Sequence, residues 1–154
     1  MSAGQWTTFN HALELIGAGT IKPKSDTFKM AFINSTLTPD ATTAVPCWGA
    51  GGSTNLSTYE CAPATGNYSA GGVAMTSVTW IETAGVVAFD SDDIAIAQTG
   101  LNPTDCRWAV VYSDTAANKN ALGFIDLDGI TDLAVGGFSF TVPATGYFSF
   151  SRTT

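Results

Sequence analysis

Cys106-Arg107-Trp108-Ala109-Val110-Val111-Tyr112 is the stretch that decides the fold class. Successive side chains of an extended chain point to opposite faces, so Cys106, Trp108, Val110 and Tyr112 fall on one side and Arg107, Ala109 and Val111 on the other. The same two-residue period recurs outward from it. Phe28, Met30 and Phe32 share one side of Thr27–Ile33. Val73 and Met75, then Val78 and Trp80, read as a strand whose phase changes once, as at a bulge. Val86–Phe89 and Ile94–Ala97 flank the acidic turn Asp90-Ser91-Asp92-Asp93, and Leu122 and Phe124 mark a short run that Asp126 would close. Phe138, Phe140 and Val142, then Phe148 and Phe150, read as two strands meeting through Pro143-Ala144-Thr145-Gly146. About eight strands with closely spaced turn signals predict a mainly β chain, an antiparallel β-sandwich or jelly roll.

Two segments depart from that pattern. Over residues 5–16, Trp6, Phe9, Leu13 and Ile16 recur at three- and four-residue spacing, which predicts a short amphipathic α-helix ended by Gly17 and Gly19. A helix that short needs a surface to dock on, either the edge or open end of the sandwich or a neighbouring subunit. Residues 34–72 are rich in Thr, Gly, Ser, Pro and Ala and read as one long loop, with Trp48, Leu56, Tyr59 and Tyr68 placed to pin it down. Short strands within it remain open. No internal repeat appears, and residues 1–154 read as one domain.

Composition narrows the function classes. Hydrophobic residues make up 45% of the chain and charged residues only 12%, about half the usual share. A surface built instead from Thr, Ser, Gly, Ala and Asn costs little to desolvate and suits repeated protein–protein contact. The net charge of −7 and the scattering of Lys22, Lys24, Lys119, Arg107 and Arg152 argue against nucleic acid, which needs clustered cations. The chain shows neither a signal-peptide pattern nor an apolar run of membrane-spanning length, so synthesis in the cytoplasm is expected and a membrane partner is not.

Catalytic constellations are weak. His11 is the single histidine, and no G-x-S-x-G elbow accompanies it. Asp90, Asp92 and Asp93, and Asp126, Asp128 and Asp132, form acidic clusters without EF-hand spacing; Asp at turns commonly bonds its own backbone. Gly49, Gly51 and Gly52 lack the Lys and Ser/Thr of a phosphate loop. The expectation is a protein that is not an enzyme, with no catalytic, cofactor or metal residues. Three cysteines leave two readings open. A Cys47–Cys61 bridge would close a loop of about 15 residues and contribute about 3 kcal/mol, whereas cytosolic synthesis favours free thiols.

Several stretches together carry a family resemblance. They are Gly4-Gln5-Trp6-Thr7-Thr8-Phe9-Asn10-His11-Ala12-Leu13, Asp26-Thr27-Phe28-Lys29-Met30-Ala31-Phe32-Ile33, Tyr68-Ser69-Ala70-Gly71-Gly72-Val73-Ala74-Met75, Val78-Thr79-Trp80 and Trp108-Ala109-Val110-Val111-Tyr112-Ser113-Asp114. In these the chain resembles the small virion structural proteins of tailed bacteriophages, some of which decorate or cement the capsid. The resemblance implies a decoration protein that binds the major capsid protein on the outer head surface as a homotrimer. Trp6, Phe9 and Leu13 would then be the first candidates for that contact and Trp48 and Tyr59 the next, although Trp6 and Phe9 would equally serve by packing on their own sandwich. The alternative is a tail or fibre component contacting host glycans, with Trp48, Tyr59 and Tyr68 as a stacking platform.

Overall fold

A computed structural model describes residues 4–152. In chain order the elements are β1 (Trp6–Thr8), α1 (Asn10–Gly17), β2 (Phe28–Ile33), β3 (Pro46–Cys47), β4 (Thr54–Asn55), β5 (Val73–Ala74), β6 (Thr79–Thr83) and β7 (Val86–Asp90). They continue with β8 (Ile94–Ile96), β9 (Cys106–Ser113), β10 (Ala121–Thr131), the short helix α2 (Leu133–Gly136), β11 (Phe138–Phe140) and β12 (Phe148–Ser151). The chain is mainly β, with antiparallel sheets and a short helix near its start. A five-stranded sheet has the order β1-β10-β9-β2-β5 and a three-stranded one the order β12-β7-β6. β11 pairs with β8, and the two-residue strands β3 and β4 pair in parallel.

The decisive stretch forms the middle of the large sheet, and both of its faces are buried. Register sets Phe28 opposite Ser113, Met30 opposite Val111 and Phe32 opposite Ala109, with Ala109 opposite Ile125 and Ile125 opposite Trp6. Cross-strand partners share a face, so Phe28, Met30, Phe32, Val111, Ala109, Ile125 and Trp6 line one side. The smaller sheets cover that side through aromatic contacts: Phe28–Phe89 at 5.0 Å, Phe32–Phe138 at 4.8 Å and Trp6–Phe148 at 6.5 Å between ring centroids. Tyr112, Val110, Trp108 and Phe124 line the other side. There Phe9, just ahead of α1, meets Phe124 at 5.2 Å, and Trp48 stacks on Tyr112 at 5.1 Å. An antiparallel sheet usually leaves one face to water; here α1 and residues 34–72 take the place of water.

Four expectations change. Trp6–Thr8 is a strand and not the start of the helix. Trp6 pairs with Ile125 and Thr8 with Gly123, as the β-branched Thr7-Thr8 pair favours. Phe9 is extended (φ −69°, ψ 135°) and its N–H donates to Leu122, so the helix begins only at Asn10. Residues 73–80 are not one bulged strand: β5 closes the large sheet and β6 belongs to the three-stranded one, with Ser77 turning between them at φ 51°. β11 and β12 do not pair with each other. β7 and β8 instead run antiparallel to β12 and β11, and both long strands break at the same level. The break is held by Val142 N–H donating to Asp93 (2.8 Å) and Tyr147 N–H donating to the Phe89 carbonyl (2.8 Å). Finally, twelve strands among the described residues replace the expected eight or so; β3 and β4, with a 3₁₀ turn at Leu56–Tyr59, are the short elements within residues 34–72.

Gly123 shows how tightly β1 seats on β10. A Cβ there would run into the Trp6 ring and stand 2.5 Å from the Thr7 carbonyl oxygen. Gly123→Ala is expected to lower unfolding stability by about 1–3 kcal/mol, the usual cost of overpacking. Gly100→Ala, whose Cβ would meet nothing within 4 Å, should leave it nearly unchanged. Urea denaturation followed by tryptophan fluorescence checks both.

Candidate functional site

The five residues expected to form a contact surface lie apart. Phe9 is fully buried and Trp48 is 6% exposed, both on the side of the large sheet that α1 and residues 34–72 cover. Trp6 is half-buried on the opposite side. Its ring meets Tyr147 edge-on at 5.0 Å, and its Nε1–H donates to Thr8 Oγ1 at 2.8 Å. Tyr59 is half-buried against the core. Leu13 alone among the five is exposed, because α1 turns Ala12 and not Leu13 inward.

The tyrosines of the middle segment act as pins. Tyr68 is fully buried; its hydroxyl donates to Glu60 Oε1 (2.7 Å) and accepts from the Phe32 N–H (3.1 Å). Glu60 also accepts from the Gly71 N–H (2.7 Å), and Tyr112 Oη–H donates to the Gly71 carbonyl (2.5 Å). Burial pushes both phenols above their ordinary range, so they stay protonated and serve as fixed hydrogen-bond partners. A segment with little regular pairing is thereby tied to β2 and β9.

The groups that could carry chemistry are occupied elsewhere. His11 Nδ1 lies 3.3 Å from Glu14 Oε2, one turn along α1. Asp92 accepts from Thr76 and Ser77, Asp93 from Val142, and Asp132 caps α2 through the Ala134 and Val135 amides. Asp126 holds the Arg107 guanidinium, which lies 4.1 Å over the Trp108 ring. Asp114 sits between Lys29 (3.1 Å) and Lys119 (3.0 Å). Among the described residues no three His, Cys, Asp or Glu side chains converge as a metal site, and no helix is long and apolar enough to cross a membrane.

Exposed apolar residues gather on β6, β7 and β12, while Ile130 of β10, Val135 of α2 and Leu101 are exposed elsewhere. Ile81 is 57% exposed, Phe150 46% and Val86 36%. Ala88 pairs with both Ile81 and Ser149, and Val86 with both Thr83 and Ser151, which puts Ile81, Thr83, Val86, Ala88, Ser149 and Ser151 on one face. Ala144 and Thr145 close a shallow groove beside them. On the other face Trp80, Phe89 and Phe148 pack inward, while Phe150 lies edge-on to Trp80 at 5.9 Å, nearer the free end. The hairpin turns at Ala84 (φ 52°) and Gly85 (φ 85°), the two left-handed positions of a type I′ turn, with Glu82 accepting from the Gly85 N–H (2.6 Å). This surface has hydroxyl and apolar groups with Asp90 at its margin. The available sequence signal was that Ile81 and Val86 are apolar at positions alternating with the inward Trp80 and Phe89.

Compared with known proteins, the chain matches no family model, no curated protein and no solved structure.

The acids give a pH prediction. Hydrogen bonds from Lys119 and then Lys29 hold the Asp114 carboxyl below its ordinary value of 3.8, and Arg107 does the same for Asp126. A carboxyl whose folded value is depressed contributes stability that is present above its unfolded pKa and is lost as pH falls through the folded one. Unfolding stability should therefore hold from pH 7 to about pH 5 and fall below about pH 4. Asp114→Asn should be less stable than the parent at pH 7 and close to it at about pH 2.5, as measured by thermal melts across the range.

Proposed function

We propose that this chain is a structural protein of a tailed-phage virion, a capsid decoration (cement) protein. It binds the major capsid protein on the outer head shell as a homotrimer and stabilises the shell by repeated non-covalent contacts. The observation that carries the reading is the projecting β12-β7-β6 sheet, whose Ile81, Val86 and Phe150 are left to solvent in a protein otherwise short of charge. The family resemblance of the quoted stretches supplies the setting. Weak apolar contacts repeated at symmetry-related shell positions gain by avidity what a single contact lacks. The contact surface in this reading moves from Trp6, Phe9 and Trp48, which serve the protein's own packing, to the hairpin face, with Leu13 as a second element.

The three-stranded and five-stranded sheets, packed through Phe28 and Phe89, are read as the two layers of a jelly-roll-like sandwich. A tail or fibre protein gripping glycans is the weaker reading, since Trp48 and Tyr68 are buried and offer sugars no stacking face. Among the described residues no nucleophile, base and metal set is assembled to support an enzymatic role.

Immunogold electron microscopy with antibodies to this chain should label the heads of source particles; label confined to tails would overturn the head assignment. In co-sedimentation with particles stripped of the protein, Ile81→Asp should weaken binding by roughly tenfold or more while its melting temperature stays near the parent's. Unchanged binding by Ile81→Asp, with loss by Leu13→Asp instead, would move the contact to α1.

A further inference from the structure

The three thiols are free and buried, but they are not equivalent. Cys47 lies in β3, where its sulfur accepts from Asn120 Nδ2 at 3.4 Å and a Cβ on Gly52 would stand 2.6 Å from it. Cys61 is held toward another part of the chain. Its N–H donates to the Phe32 carbonyl (3.0 Å), its Sγ lies 3.9 Å from the Asp105 carbonyl oxygen, and the next carbonyl, of Ala62, accepts from the Thr104 N–H (3.2 Å). Cys106 follows directly, with its Sγ 3.8 Å from the Thr104 carbonyl oxygen. Asp105 turns the chain between them at φ 56°. The two thiols thus share the Thr104–Asp105 turn, Cys61 against its Asp105 carbonyl and Cys106 against its Thr104 carbonyl.

We infer that Cys61 and Cys106, and not Cys47 and Cys61, form the chain's oxidisable dithiol, and that closing it staples the covering segment 34–72 to the start of β9. The inference stands on the thiol geometry and goes beyond the proposed location of the protein.

With a small disulfide such as oxidised glutathione as oxidant, the step balances. The Cys61 thiolate attacks one glutathione sulfur, breaking that S–S bond and releasing one glutathione thiolate. The Cys106 thiolate then displaces the second glutathione from Cys61, forming the Cys61–Cys106 bond. The two thiol protons pass to the two glutathiones, and the protein dithiol is oxidised as the glutathione disulfide is reduced. Contact with Cys61 and burial push the Cys106 thiol well above its ordinary range. The Cys106 thiolate is therefore scarce in the closed fold, and with both thiols buried the reaction waits on local opening.

The test uses the full chain, incubated with oxidised glutathione in mild urea, returned to buffer, alkylated and mapped by mass spectrometry after chymotryptic digestion, which separates the three cysteines. The expected product links Cys61 to Cys106 and leaves Cys47 alkylated. A loop of about 45 residues is closed, so the melting temperature should rise by roughly 10 °C and return on adding dithiothreitol. Cys47→Ser should show the same shift, whereas Cys61→Ser and Cys106→Ser should lose it. A Cys47–Cys61 link, glutathione retained separately on Cys61 and Cys106, or three thiols that remain free would overturn the pairing. A Cys61–Cys106 link without a rise in melting temperature would overturn the staple.

Discussion

The fold depends on one constraint: β2 and β9 are apolar on both faces, so the large sheet needs two covering layers. Phe28, Met30 and Phe32 demand one, and Tyr112, Val110 and Trp108 demand the other. The first is met by strands, through edge contacts from Phe89 and Phe138 and a stacked one from Phe148. The second is met by one short helix and a long irregular segment. At about 25 cal/mol per Å² of apolar surface removed from water, that second cover is a requirement for stability.

The irregular cover has to solve a backbone problem that strands solve automatically, because buried amides and carbonyls need partners. Tyr68, Glu60 and Tyr112 supply them at the Phe32 and Gly71 backbone. Close approach supplies the remainder of the fit: Gly72, at φ 96°, lies against the Met30 carbonyl where no side chain has room. The low charge of the chain follows the same economy. Its acids cap turns and hold Lys29, Lys119 and Arg107, while the β6–β7 hairpin and β12 carry apolar surface with no internal cover, as Ile130 and Val135 do elsewhere.

The strand content was legible because alternation survives wherever one face differs from the other, as in Phe28-Lys29-Met30 or Phe148-Ser149-Phe150. Which strands pair was not. The Pro143–Gly146 signal marks a bend between two strands that pair elsewhere, and local sequence carries no record of that choice. Trp6 and Phe9 stand three residues apart as on a helix, yet a strand running into a helix produces the same spacing. Residues 34–72 carry no period because Trp48, Leu56 and Tyr68 are buried by distant partners and not by a regular element of their own. The contact candidates failed for a related reason: a sequence shows that a residue is apolar, while the topology decides whether its own fold covers it. Ile81 and Phe9 look alike in the chain and have opposite fates.

Native-state amide hydrogen exchange, resolved by residue, tests the two-sided sheet most directly. The amides of β2 and β9 should exchange only through global unfolding, while those of Ile81–Val87 exchange orders of magnitude faster, through local opening of the exposed hairpin. Equal protection of the hairpin and β9, or fast exchange across Lys29–Ile33, would contradict a core sheet buried on both faces beside an exposed hairpin.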